Sequence, residues 1–90
     1  MDKVKKLNPG EVQPLGKGLG RTIEELRVKK KMDREALAER AGVTAKAVKH
    51  WETGRRIIGN ECLPRIAHAL ATVPSRIYAR TERREAADIG

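Results

Sequence analysis

Apolar residues after residue 18 recur at the spacing of one helical face. Leu19, Ile23 and Leu26 stand at positions i, i+4 and i+7, which predicts a first helix over about 19–30. No segment alternates apolar and polar residues over the length of a strand. The pattern therefore predicts an all-α fold, a compact bundle of four or five short helices.

Capping residues predict the second and third helices. Asp33 is a suitable N-cap for a helix over 34–41, and Gly42 can end that helix because glycine readily adopts a positive φ. Thr44 can cap a third helix over 45–53, which is again followed by a glycine. The inner faces of these helices are apolar, with Leu37, Ala38 and Ala41 in the second and Val48 and Trp51 in the third.

Two further helices follow. The fourth ends near Leu70, and its start has two alternatives. Either Asn60 caps it, with Pro64 just inside the first turn, or the helix starts at Pro64, which is a favoured first position. A short fifth helix is predicted after Pro74.

The chain divides into three segments. Residues 1–18 mix proline and glycine with charged residues and show no period, which indicates a flexible basic N-terminal arm. Residues 19–80 hold the predicted helices and form one folded domain. Residues 81–90 alternate charges without an apolar face, which predicts a frayed C-terminal tail.

Charge and composition indicate a nucleic-acid partner. The formal net charge is +8, and eleven basic but only six acidic residues fall within 20–58. Bound cations release counterions from a phosphate backbone, so this excess suits a polyanion. Trp51 and Tyr78 are too few aromatic residues for the base-stacking platform of an RNA- or single-strand-binding protein. Duplex DNA is therefore the favoured partner.

Other classes of protein fit the sequence poorly. No apolar stretch reaches membrane-spanning length and no signal peptide follows Met1, so we expect a cytoplasmic protein without a membrane partner. The spacing of Cys62, His50 and His68 matches no zinc pattern, so neither a metal nor a cofactor is expected. The sequence also lacks a nucleophile–base arrangement and a glycine-rich phosphate loop, so we do not expect an enzyme.

Residues 34–54 have the features of a helix-turn-helix. Two helices that cross steeply need a small residue at their contact, and Ala38 is that residue. The turn needs a positive φ, which Gly42 supplies, and Val48 anchors the later helix on the earlier one. In this geometry the third helix enters the major groove of DNA. The residues of that helix left to point outward are Ala45, Lys46, Lys49 and His50.

The same region resembles the lambda-repressor/Cro-like, or XRE-type, helix-turn-helix family. The resemblance runs from about residue 19 to residue 78, roughly two-thirds of the chain. Four separate stretches carry it in the family's order, namely 19–27, 35–44, 51–56 and 66–70. The sequence departs from the family at Lys31, where glycine is usual, and after Gly54, where the usual Pro, Ser and Leu are replaced by residues 57–60.

The resemblance implies roles for individual residues. Arg34 takes the position at which the family often uses Gln to hold a DNA phosphate. Arg27 and Glu52 match a pair that often forms a salt bridge, which we expect to fix the angle of the third helix. The positions that face the major groove are occupied by Thr44, Ala45, Lys46, Lys49 and His50.

The predicted function is sequence-specific binding of double-stranded DNA, as in a bacterial or phage transcriptional regulator. Arg55 and Arg56, at the exit of the third helix, are expected to contact phosphates. Lys46 and Lys49 contact either base edges or phosphates, and the sequence favours neither. The family usually binds as a homodimer to half-sites about 34 Å apart.

Two alternative functions stay open at this point. One is a protein-interaction module, such as an antitoxin or a transcription adaptor, with DNA binding secondary. It is supported by three apolar residues expected to be exposed, Ile57, Ile58 and Ile89. The candidates for a dimer surface are Ile57, Ile58 and the fifth helix. The other is RNA binding, which the deep and narrow groove of duplex RNA disfavours for a helix reader.

Overall fold

Five α-helices make up the part of the chain that the structure describes. The computed structural model describes residues 14–89, and side chains are described for residues 18–84. The helices are α1 (Pro14–Lys29), α2 (Arg34–Ala41), α3 (Ala45–Glu52), α4 (Leu63–Ala69) and α5 (Pro74–Ile89). No strand occurs within residues 14–89, so the predicted all-α fold is confirmed. No helix among these residues is long and apolar enough to cross a membrane.

The bounds of the three middle helices follow their capping residues. Helix α2 has the predicted bounds, and the Asp33 carboxylate accepts a hydrogen bond from the Ala36 amide at 2.7 Å. Helix α3 ends one residue before its predicted end. Helix α4 begins at Leu63, so Pro64 lies in its first turn, where a missing amide proton removes no intrahelical hydrogen bond.

The two outer helices are longer than the sequence predicts. Helix α1 begins at Pro14, so the prediction of a flexible arm is wrong for residues 14–18, while residues 1–13 lie outside the described residues. Helix α5 continues to Ile89, so the short fifth helix and the frayed tail are wrong for residues 81–89. The two helices pack against each other.

A polar contact joins α1 to α5. Thr22 and Thr81 are both fully buried, and their hydroxyl oxygens lie 2.6 Å apart. Each hydroxyl is also within hydrogen-bonding distance of a carbonyl in its own helix, at Gly18 and Ile77. At the surface, Arg84 forms a salt bridge with the Glu25 carboxylate of α1 at 2.7 Å. Because these contacts are polar, the apolar periodicity that defined the other helices gave no sign of them.

Three of the helices end in the same backbone motif. An amide two or three residues past the helix donates a hydrogen bond to the carbonyl five residues earlier, as in Met32 to Arg27 at 3.1 Å, and the residue before it adopts a positive φ. Those positive-φ residues are Lys31 (59°), Gly42 (73°) and Ala71 (60°). The family's usual glycine at position 31 therefore fits the backbone that the structure has there, and the lysine adopts it at a cost of about 1 kcal/mol.

The core lies between the five helices, with α2 packed against α3 and α4, and α1 packed against α3 and α5. Leu37 on α2, Val48 on α3 and Ile66 on α4 are all fully buried. The predicted inner faces of α2 and α3 are confirmed by this packing, because Ala38, Ala41 and Trp51 are buried as well. Together these contacts hold the turn between α2 and α3 in place.

Gly20 sets the distance between α1 and α3. A methyl group added at Gly20 would lie 1.8 Å from the Trp51 carbonyl oxygen and 2.8 Å from its carbonyl carbon, and both are backbone atoms that cannot swing aside. Glycine inside a helix is unfavourable by about 1 kcal/mol relative to alanine, so its presence here has a packing reason. The two backbones come this close only because residue 20 has no side chain.

We expect Gly20→Ala to destabilise the domain by roughly 2 kcal/mol or more, because α1 has to move away from α3. Helix propensity alone predicts the opposite sign, a gain of about 1 kcal/mol. Urea denaturation followed by circular dichroism measures the difference. Gly59→Ala is the matched control, because an added methyl group there meets only the flexible Glu61 side chain. A Gly20→Ala variant as stable as the wild type would contradict the close approach.

Candidate nucleic-acid interface

Helices α2 and α3 form the helix-turn-helix, and its turn is fixed at both sides. Gly42 has a φ of 73°, which directs the chain from α2 into the turn. Thr44 caps α3, with its hydroxyl oxygen accepting a hydrogen bond from the Ala47 amide at 3.1 Å. Buried Ala38 and Val48 hold the two helices together. The start of α3 is therefore held at a defined place on the surface.

The outer face of α3 lines a shallow depression together with the loop that follows it. Lys46 and Lys49 are exposed and His50 is half-buried. Ala45 differs from its prediction as an outward-facing residue, since it is half-buried and packs against the core. Ala47, which the sequence analysis did not single out, lies in the depression. The residues that line it are Thr44, Lys46, Ala47, His50, Trp51 and Arg56.

The loop after α3 returns to the helix. The Arg56 amide donates a hydrogen bond to the His50 carbonyl at 3.1 Å, after Gly54 has turned the chain with a φ of 82°. Arg55 and Arg56 are both exposed. The structure thus brings the two predicted phosphate-binding arginines beside the outer face of α3.

Cations surround His50. The pKa of His50 is lowered, first because the ring loses part of its solvent and then because Arg55, Lys46, Arg56 and Lys49 repel a proton on it. All four of these charges have the same sign. The surface around the outer face of α3 is therefore a site of positive potential, and it suits a polyanion.

Glu52 ends α3 on the opposite, inner face. Its side chain is fully buried, and the Arg27 guanidinium binds it with two hydrogen bonds, Nε to Oε2 at 2.7 Å and Nη2 to Oε1 at 3.1 Å. Arg27 Nη1 also donates to the Met32 carbonyl at 2.8 Å. The pKa of Arg27 is raised, chiefly by its hydrogen bonds to Glu52. The predicted partners are thus in contact and tie α1, the α1–α2 turn and α3 together.

Arg34 shares the same carboxylate, which sequence reasoning missed. Arg34 Nε donates to Glu52 Oε1 at 2.8 Å, and about a third of the arginine side chain (32%) is exposed. The two residues are 18 positions apart on different helices, and no helical period connects them. The two oxygens of a buried carboxylate can accept hydrogen bonds from more than one cation. The only sign of a second cation in the sequence was that α2 begins with a basic residue.

The apolar residues considered for a partner surface do not stay together. Ile58 is only 6% exposed and belongs to the core, so its assignment as an exposed residue is wrong. Ile57 is exposed, and the side chain of Ile89 lies outside the described side chains. Two further exposed apolar residues, Val28 and Val73, were not singled out from the sequence.

The residues considered for a metal site are His50 on α3, His68 on α4 and Cys62 just before α4. Cys62 is a half-buried free thiol. Within residues 14–89, no group of three or more His, Cys, Asp or Glu side chains is placed to hold a metal ion.

Solved structures of other proteins have the same fold. The chain superimposes on the clp gene regulator ClgR from Corynebacterium glutamicum with a TM-score of 0.79 and 23% identity, over 90% of this chain and 84% of that one. It superimposes on the restriction-modification controller protein C.AhdI from Aeromonas hydrophila with a TM-score of 0.65 and 30% identity, over 70% of this chain and 94% of that one. No curated protein matches the sequence significantly.

The fold also occurs as part of an enzyme. The hydroxypropylphosphonic acid epoxidase from S. wedmorenis matches with a TM-score of 0.63 and 31% identity, but the chain spans only 35% of its length. At the level of families, residues 18–77 match the helix-turn-helix domain. The match covers well over half of the chain and includes α2, the turn and α3. The protein belongs to the helix-turn-helix domain family.

Proposed function

We propose that the protein is a transcription regulator that reads the DNA major groove with the outer face of α3. The separation of charge on α3 carries this proposal. The one acidic residue of the helix, Glu52, is buried, whereas Lys46 and Lys49 are exposed. A helix whose acidic residue is buried and whose lysines are exposed has a surface complementary to a phosphate-lined groove.

The residues around α3 take two kinds of role in this proposal. Lys49 and His50 lie on the outer face, where a lysine can donate to guanine O6 and N7. Arg55 and Arg56 lie beside the helix, where they contact phosphates and set its register. The backbone hydrogen bond from the Arg56 amide to the His50 carbonyl supports this division, because it keeps the loop beside the helix.

We propose further that the protein acts as a homodimer in the cytoplasm. The helix-turn-helix presents only one α3, and two copies reading half-sites about 34 Å apart double the contact. Among the exposed apolar residues that the structure describes, Ile57 (45%) and Val73 (49%), which directly precedes α5, lie in the regions considered for a dimer surface. We propose binding without catalysis, since the enzyme that the chain resembles matches it over only about a third of its own length (35%).

Selection of bound sequences from a random duplex library, at two salt concentrations, tests the function. We expect the wild type to recover a short motif at both, repeated about one helical turn apart if two copies bind. A double variant, Lys49→Ala with His50→Ala, should lose the motif while keeping its fold and weak binding, because phosphate contacts remain.

Lys29→Ala with His68→Ala is the matched control, because it also removes one lysine and one histidine, here from exposed positions on α1 and α4. This control should recover the wild-type motif. If the motif survives in the Lys49 and His50 variant, α3 is not the reader. If the wild type recovers no motif and its binding disappears as salt rises, the attraction is nonspecific and the proposed function is wrong.

DNA affinity should rise as the pH falls from about 8 to about 6. In the free domain, loss of solvent around the ring and then the neighbouring cations lower the pKa of His50 from its ordinary value. DNA phosphates raise that pKa, so the complex takes up a proton between the two pKa values. Binding measured by fluorescence anisotropy across this range should show the trend in the wild type and in His68→Gln, and no trend in His50→Gln. An equal trend in His50→Gln would contradict this assignment.

A further inference from the structure

Three charges form a graded series from the core to the surface. The side chain of Glu52 is 0% exposed, that of Arg27 is 11% exposed and that of Arg34 is 32% exposed. The cluster has two cations and one anion, so it carries one uncompensated positive charge. Arg34 is the cation nearest to solvent, and the excess charge is therefore available at the start of α2.

The hydrogen bonds leave the outer end of Arg34 unused. Glu52 Oε2 accepts from Arg27, and Oε1 accepts from both arginines, at 3.1 Å from Arg27 and 2.8 Å from Arg34. Arg34 donates only its Nε–H to this carboxylate. Its Nη1 and Nη2 make no hydrogen bond to any other described residue. These two nitrogens carry four N–H groups in one plane, the geometry that binds a phosphate with two bonds.

Anchoring at Nε also reduces what Arg34 loses on binding. A free arginine side chain has many rotamers, and fixing them opposes association. Here the buried carboxylate already fixes the guanidinium, and Arg27 holds that carboxylate from the other side. A simple structural salt bridge needs only Arg27. The second arginine lies on α2, whose start flanks the reading helix α3.

We propose that Glu52 is a positioning residue for DNA binding as well as a structural one, because it presents the Arg34 guanidinium, outer end first, to a DNA phosphate. This inference rests on the proposed function. The phosphate lies beside the first turn of α2, and Arg34 binds it with Nη1 and Nη2 while Nε stays on Glu52. Glu52 itself does not touch DNA.

The salt dependence of affinity for the selected duplex tests this proposal, because each phosphate contact adds about 0.9 to the slope of log K against log salt. We expect Arg34→Ala to lower the slope by about that amount. Glu52→Gln should lower it similarly, and the double variant should lower it no further. Arg80→Gln is the control, since it removes an arginine that pairs with Glu25 on α1, away from the cluster. It should leave the slope unchanged.

Arg34→Lys provides a test that does not depend on whether the Glu52 variants fold. Lysine has one nitrogen where arginine has three, so an ammonium held by Glu52 does not present a second donor group to the phosphate. The slope for Arg34→Lys should therefore fall like that for Arg34→Ala. If Arg34→Lys and Glu52→Gln keep the wild-type slope while Arg34→Ala loses it, Glu52 does not position Arg34. If Arg34→Ala keeps the slope and the motif, Arg34 contacts no phosphate, and the proposed function stands without this inference. A wild type that selects no motif overturns both.

Discussion

The arrangement of the interface depends on one buried carboxylate. A charged Glu52 inside the protein is tolerated only because Arg27 and Arg34 bind it, since removing one partner of a buried pair typically costs about 3–5 kcal/mol. Its partners come from α1 and α2, and Glu52 itself ends α3. The three helices therefore meet at this carboxylate, on the side of α3 opposite the surface proposed to bind DNA. Gly20 makes this meeting possible, because α1 reaches the end of α3 only where no side chain separates the two backbones.

The burial of Glu52 also determines the charge on the exposed face of α3. With Glu52 buried, the outer face of α3 carries only basic and neutral groups, and the neighbouring loop adds Arg55 and Arg56. After the loss of solvent around its ring, that surface is the second cause of the lowered pKa of His50, because its four charged neighbours are all cations. The charge that stabilises the core and the charge that we propose to attract DNA thus lie on opposite faces of α3. In the proposed function, stability and recognition therefore depend on the same helix.

Local signals made part of this structure predictable from the sequence. Asp33, Gly42 and Thr44 fixed the bounds of α2 and the start of α3 because caps act through bonds within a few residues. The Arg27–Glu52 contact was expected from family resemblance. The long α1 and α5 were missed because Thr22 and Thr81 join them through a polar contact between distant positions. The third partner, Arg34, and the burial of Ile58 were missed for the same reason: both are tertiary contacts without a sequence period.

Methylation interference on the selected duplex tests the central claim most directly, because dimethyl sulfate modifies guanine N7 in the major groove and adenine N3 in the minor groove. An α3 that lies in the major groove predicts loss of binding when guanine N7 is methylated within the motif. Methylation of adenine N3 within the same motif should have little effect. Interference confined to adenine N3 would place the protein in the minor groove and contradict the account.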